Sequence, residues 1–155
     1  MDKGFTRTPK SSIKSFTLIE LIVVIIIVGI LAAVGISQYS LMVEKARTAE
    51  AKVRIGAMRQ LAYEYYLNNG SLTGIQNSDV GVDYTCTSTS FYKYYIGYIN
   101  PTTANMDSVR CTSGGKTPNA SREYIFYFTF SPDTGQGVQH CQYTDNASAC
   151  FGFIP

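Results

Sequence analysis

The sequence predicts an α+β protein: one long N-terminal helix, membrane-spanning in its first half and amphipathic in its second, packed on a small antiparallel β-sheet head. Three observations predict it. From Phe16 to Ile36 the chain is apolar with a single ionisable residue, Glu20. A polar and apolar pattern of helical period then continues without proline to Asn68-Asn69-Gly70. Beyond Gly70, aromatic and β-branched runs alternate with turn residues.

As a helix, the apolar run would be about 30 Å long, the thickness of a bilayer's hydrocarbon core. Lys3, Arg7, Lys10 and Lys14 precede it against Asp2 alone. A basic leader followed at once by an apolar span orients the segment with its N-terminus in the cytoplasm, so that everything after Tyr39 lies outside. An ordinary signal peptide has a shorter apolar core and then a small-residue cleavage site. Ala32 and Ala33 are weak candidates for such a site, because the run continues past them to Ile36.

Past Tyr39, Val43, Ala46, Val53, Ala57, Leu61 and Tyr65 recur at helical spacing, and they are the expected buried face. Glu44, Lys45, Arg47, Glu50, Lys52, Arg54, Arg59 and Glu64 are expected on the other sides. Lys45, Lys52 and Arg59, seven apart, form a basic stripe that is either a solvated face or a contact with a neighbouring subunit. Gly70 can take the left-handed conformation that ends a helix. From Phe16 to Asn68 the helix would be roughly 80 Å long.

Residues 71–90, rich in Ser, Thr, Asn, Asp and Gly, read as a long connection packed over the sheet. Strands are expected at 92–99, 123–130, 137–143 and 149–154, with Tyr124, Phe126, Phe128 and Phe130 alternating along the second of these. The domain plan is therefore a leader at 1–15, the long helix at 16–70 and a disulfide-bonded head at 71–155.

Four cysteines, at 86, 111, 141 and 150, fall on the side placed outside the membrane, where disulfides persist. They allow three pairings. A hairpin turning at Thr144-Asp145-Asn146-Ala147 would set Cys141 opposite Cys150, which favours Cys141–Cys150 and leaves Cys86–Cys111. A tetrahedral metal site is the competing use, but no pair has the short spacing such a site needs.

Catalytic chemistry is missing where it could be sought. The one histidine, His140, is beside Cys141 in a strand, so the two side chains point to opposite faces. Gly115-Lys116-Thr117 imitates the end of a phosphate loop, yet the first glycine that motif needs is Arg110 here. Asp133 and Asp145 are isolated aspartates, which do not make a calcium cage. No enzyme activity, cofactor or metal is expected. The formal charge is +2 from 13 basic and 11 acidic residues; four and one of these fall in the leader, so residues 16–155 carry −1. That excludes a general attraction to nucleic acid.

A short basic leader, then Phe16-Thr17-Leu18-Ile19-Glu20, with Glu fifth from the cut, and then about twenty apolar residues resembles the type IV pilin and type II secretion pseudopilin family. The resemblance covers Lys14 to about Gly70. It implies a pilin-like fold and a structural subunit of a type IV pilus or related filament, with the pseudopilin of a type II secretion system as the alternative. It also implies inner-membrane insertion, leader removal between Ser15 and Phe16 by a prepilin peptidase, N-methylation of Phe16, and extraction by an assembly ATPase and an inner-membrane platform protein. Glu20 is implied in assembly, neutralising the new α-ammonium of Phe16. The implied partners are copies of the chain, other pilins and, before assembly, membrane lipid. Two positions depart from the family: Ser15 stands where the leader nearly always ends in Gly, and Ser37 where proline is usual. Gly4-Phe5-Thr6 imitates the cleavage site, but the polar Arg7-Thr8-Pro9-Lys10 after it could not enter a bilayer. Because Ser37 keeps its backbone N–H, one unbroken helix is expected through 29–39.

Overall fold

Thr17 precedes the first helical residue of α1 (Leu18–Asn69), and the helix ends where Gly70 adopts φ 69° and donates its N–H to the Tyr66 carbonyl at 2.7 Å. The computed structural model describes residues 16–120 and 123–143. Helical structure runs without interruption through Gly29–Tyr39. A 3₁₀ turn (Asn77–Val80) follows, then β1 (Tyr92–Asn100), β2 (Thr103–Arg110), β3 (Tyr124–Ser131) and β4 (Gln136–Tyr143). The strands form one antiparallel sheet in the order β1-β2-β3-β4. The expected strand at 149–154 and the hairpin at 144–147 lie outside the described residues.

The chain divides into two compact units, Met1–Ser40 and Leu41–Pro155, so the later part of α1 belongs to the head. There α1 buries Glu44, Thr48, Ala51, Ile55, Met58 and Ala62, spaced by three or four residues. This corrects the face expected from the sequence: Val53 is 76% exposed and Leu61 is exposed, whereas Glu44 is only 6% exposed. Small Ala51 and Ala62 let the sheet approach the helix, and Glu44 is admitted because it finds partners inside.

The sheet's inner face is Tyr92, Tyr94 and Ile96 from β1, Ala104 and Met106 from β2, and Tyr124, Phe126 and Phe130 from β3. Leu72, Ile75, Val80 and Val82 close this core from the connection after α1. Two side chains, one from α1 and one from the 3₁₀ turn, fix β1 in place, and a third from α1 holds the connection. Glu50 Oε1 accepts the Phe91 N–H at 3.0 Å and the Tyr94 hydroxyl at 3.1 Å, and Asn77 Oδ1 accepts the Ile96 N–H at 2.8 Å. Arg54 donates to the Gly81 carbonyl at 2.6 Å.

The strand at β2 has no counterpart in the sequence reading, although it is central in the sheet. Its apolar positions are few, and its inner-face polar residues, Ser108 and Arg110, are buried because each is bonded: Ser108 donates to the Phe126 carbonyl at 2.7 Å. At the β3–β4 hairpin, Pro132 to Gly135 make the turn, with Gly135 at φ 63°. Gly137 pairs with Phe130 in register, and the ring of Phe128, two residues along β3, lies over it so that a Cβ there would overlap the ring. Gly137→Ala should therefore cost about 1–3 kcal/mol by overpacking. Urea unfolding of the single variant, and of the same change made with Phe128→Ala, checks this; the second background should relieve most of the loss.

Candidate assembly site

Every large apolar side chain from Phe16 to Ile36 is between 41% and 85% exposed. Hiding one such side chain from water gains about 1.5–3 kcal/mol, so the run as a whole is held in water only at a cost of tens of kcal/mol. By length and composition α1 can cross a membrane. Glu20 sits at the start of this run in a capping box. Its Oε2 accepts the Thr17 N–H and the Thr17 hydroxyl, each at 2.8 Å, and its own N–H donates to Thr17 Oγ1 at 3.3 Å. Thr17 was missed in the sequence, where the Thr-x-x-Glu spacing is its signal. Both of its bonds to the carboxylate fall on Oε2, so Glu20 has a second oxygen to offer. Phe16, beside the helix start, is 85% exposed. Ser15 lies outside the described residues.

In the head, a second carboxylate has the opposite surroundings. Glu44 Oε1 accepts from Arg110 Nε at 2.5 Å and from the Tyr124 hydroxyl at 2.9 Å, and Oε2 accepts from Arg47 at 2.6 Å. Tyr124 in turn shares a 2.7 Å hydroxyl bond with Tyr92. The Arg110 guanidinium spends its other N–H groups on the carbonyls of Phe91 at 2.9 Å, Cys111 at 3.3 Å and Thr117 at 2.7 Å. Its central carbon Cζ lies 5.6 Å from the Phe91 ring centre and 5.7 Å from that of Tyr92. Thr117, which the sequence offered as the end of a failed phosphate loop, holds φ 43° and serves as an acceptor for Arg110. Arg110 itself was read only as the residue that spoils that motif.

Burial pushes the Glu44 carboxyl up, but the bond and charge of Arg110, with the Tyr124 and Arg47 bonds, outweigh it and hold the group below the usual glutamate value. The Tyr92 and Tyr124 hydroxyls are pushed far up, chiefly by burial.

Cys86 and Cys111 are joined by a disulfide, which ties the connection before β1 to the end of β2. Gly115 packs against Cys111 so closely that a Cβ would overlap it. Cys141 is on the core side of β4 opposite Phe126, and Cys150 lies outside the described residues. His140 is on the other face, stacked on Tyr127 at 4.8 Å, so it and Cys141 do not meet. Of the basic stripe, Lys52 and Arg59 lie 5.9 and 5.7 Å from the Phe126 and Phe128 rings. Asp133 accepts the Tyr66 hydroxyl, Asp145 lies outside the described residues, and among the described residues no three ligating side chains converge on a metal position.

Residues 10–36 match the family model for the prokaryotic N-terminal methylation motif. The chain carries that motif. The chain is 45% identical over 69 residues to a fimbrial protein of Neisseria meningitidis, covering 44% of this chain and 40% of that one. It is 47% identical over 57 residues to the type IV major pilin protein PilE of Neisseria gonorrhoeae, 37% of this chain and 34% of that one. It is 42% identical over 57 residues to the fimbrial protein EcpC of Eikenella corrodens, 37% of each chain. The chain thus matches at most two fifths of the length of these relatives. No solved structure matches it. The methylation motif ends at the last residue of the exposed apolar run, Ile36.

The buried pair generates a test. Glu44→Leu or Arg110→Met alone should destabilise the head by about 3–5 kcal/mol, because each leaves the other charge buried without its partner. The double variant should recover at least half of that in urea unfolding. The stabilisation that Glu44 supplies is present above the glutamate value of 4.5 and is lost as pH falls through its lower folded value.

Proposed function

We propose that this chain is a structural subunit of a type IV pilus or related filament. The exposed apolar run that coincides with the methylation motif carries the reading: such a helix must be hidden, first in a bilayer and then against copies of itself. Residues 1–15 are the leader, cut between Ser15 and Phe16 by a prepilin peptidase, and the freed Phe16 amine is N-methylated. Residues 16–70 anchor the precursor in the inner membrane with its N-terminus in the cytoplasm, and residues 71–155 are the outer head, stapled by Cys86–Cys111 and Cys141–Cys150. Lipid, an inner-membrane platform protein and other pilins are the partners, with no part for nucleic acid, cofactor or enzymatic chemistry. The relatives named fimbrial protein and major pilin favour an extracellular pilus over the periplasmic pseudopilus of a type II secretion system.

Glu20 is the assembly residue. After the cut, the Phe16 α-ammonium becomes a cation beside or within low dielectric, and the Glu20 carboxylate offsets it in its own helix or a neighbour's. Charge and capping are separable, since glutamine also completes a capping box. Glu20→Gln and Glu20→Val should both lower the yield of sheared filament at least about tenfold, a loss of ~1.4 kcal/mol or more. Thr17→Val, which removes the cap and keeps the charge, should assemble close to normally. Normal yield from Glu20→Gln, with Thr17→Val defective, would reassign Glu20 to capping alone.

A further inference from the structure

Asp107 occupies the middle of a row that crosses the outer face of the sheet: Tyr95 on β1, Asp107 on β2, Tyr127 on β3 and His140 on β4 are successive partners in register. It is 7% exposed. Its carboxylate lies over Gly97 so closely that a Cβ there would overlap it, and the glycine is what admits it. The Tyr95 hydroxyl bonds the carboxylate. Oδ1, with less than 1 Å² accessible, has no hydrogen-bond partner among the described residues.

Among the described residues, the charged and titratable groups on this face do not neutralise it. From β1, Lys93 is directed to Glu123 at 4.0 Å and to the Tyr84 ring at 4.3 Å. Tyr84 meets Tyr95 edge-on at 4.9 Å. From β3 comes Tyr127, and from β4 His140, stacked on Tyr127 and one strand removed from Asp107. An oxygen that no water-sized molecule reaches can still take a proton.

We propose that Asp107 is a proton switch in the head, a neutral acid in mildly acid medium and a strained carboxylate at neutral pH, so that its proton stabilises the head in mildly acid medium. Burial pushes its carboxyl up to about 6, against the lowering effect of the Tyr95 bond. In the unfolded chain the value returns to about 3.8. Below 3.8 both states hold the proton. Between 3.8 and about 6 only the folded state does, so stability falls as pH rises through that window and levels off above it.

The test is urea unfolding of the full chain in detergent, disulfides intact, followed by tyrosine fluorescence from pH 4.5 to 7.5. The unfolding constant should rise at least about tenfold across that range, part of the roughly hundredfold that a shift of about two pKa units allows. Asp107→Asn should abolish the rise, while His140→Gln should keep it. A flat wild-type profile, or the same slope in Asp107→Asn, overturns the proposal. If Asp107→Asn does not fold, carbon-13 titration of the wild-type Asp107 carboxyl decides: a midpoint near 6 supports the switch, and one below 4.5 overturns it.

Discussion

An apolar helical segment left uncovered from Phe16 to Ile36 is the constraint that the rest of this structure accommodates. No mixture of small adjustments makes such a run comfortable in water, because each large side chain adds its own penalty of about 1.5–3 kcal/mol. The polar features cluster at its edges. Basic residues precede it, and Glu20 with Thr17 closes its first turn. The head begins only where α1 changes character, and there the helix presents a stripe narrow enough for a four-stranded sheet to cover.

The head is small and builds its cohesion from more than apolar contact. Glu50, Asn77 and Arg54 bond backbone groups of β1 and the connection, so the long segment after α1 has fixed points along its length. The disulfide between Cys86 and Cys111 adds a covalent one, worth roughly 2–4 kcal/mol. Glu44 and Arg110 key the helix to the sheet: a pair so placed adds little net stability over an apolar substitute, yet a shifted register would leave both charges buried and alone. Asp107, on the opposite face, has no ion-pair partner among the described residues. The two acids therefore respond to pH in opposite directions, Glu44 losing its contribution in acid and Asp107 relieving its strain there.

What was legible in the sequence was written along one dimension. The apolar run, the isolated Glu20, the basic leader and the end of the helix at Gly70 are local patterns, and α1 follows them. The buried face of the helix was not legible, because apolar residues surround the helix here: Val53, Leu61 and Leu67 remain exposed while Glu44 and Thr48 go inside. Partners distant in sequence decide that choice, and Arg110, 66 residues from Glu44, is the decisive one. For the same reason β2 was hidden: Ser108 and Arg110 look like loop residues until Phe126 and Glu44 are placed beside them. Thr17 was within reach, since a Thr three residues before a Glu at a helix start is a local signature.

The central claim is that the apolar run is first a membrane anchor and then the packed core of a filament, freed by a cut before Phe16. Intact-mass and N-terminal peptide analysis of filaments sheared from cells tests it most directly. A subunit that starts at Phe16, carries a methylated α-amine and holds no free thiols is the predicted result. Filaments that lack this chain, or that contain it only with residues 1–15 still attached, would contradict the claim.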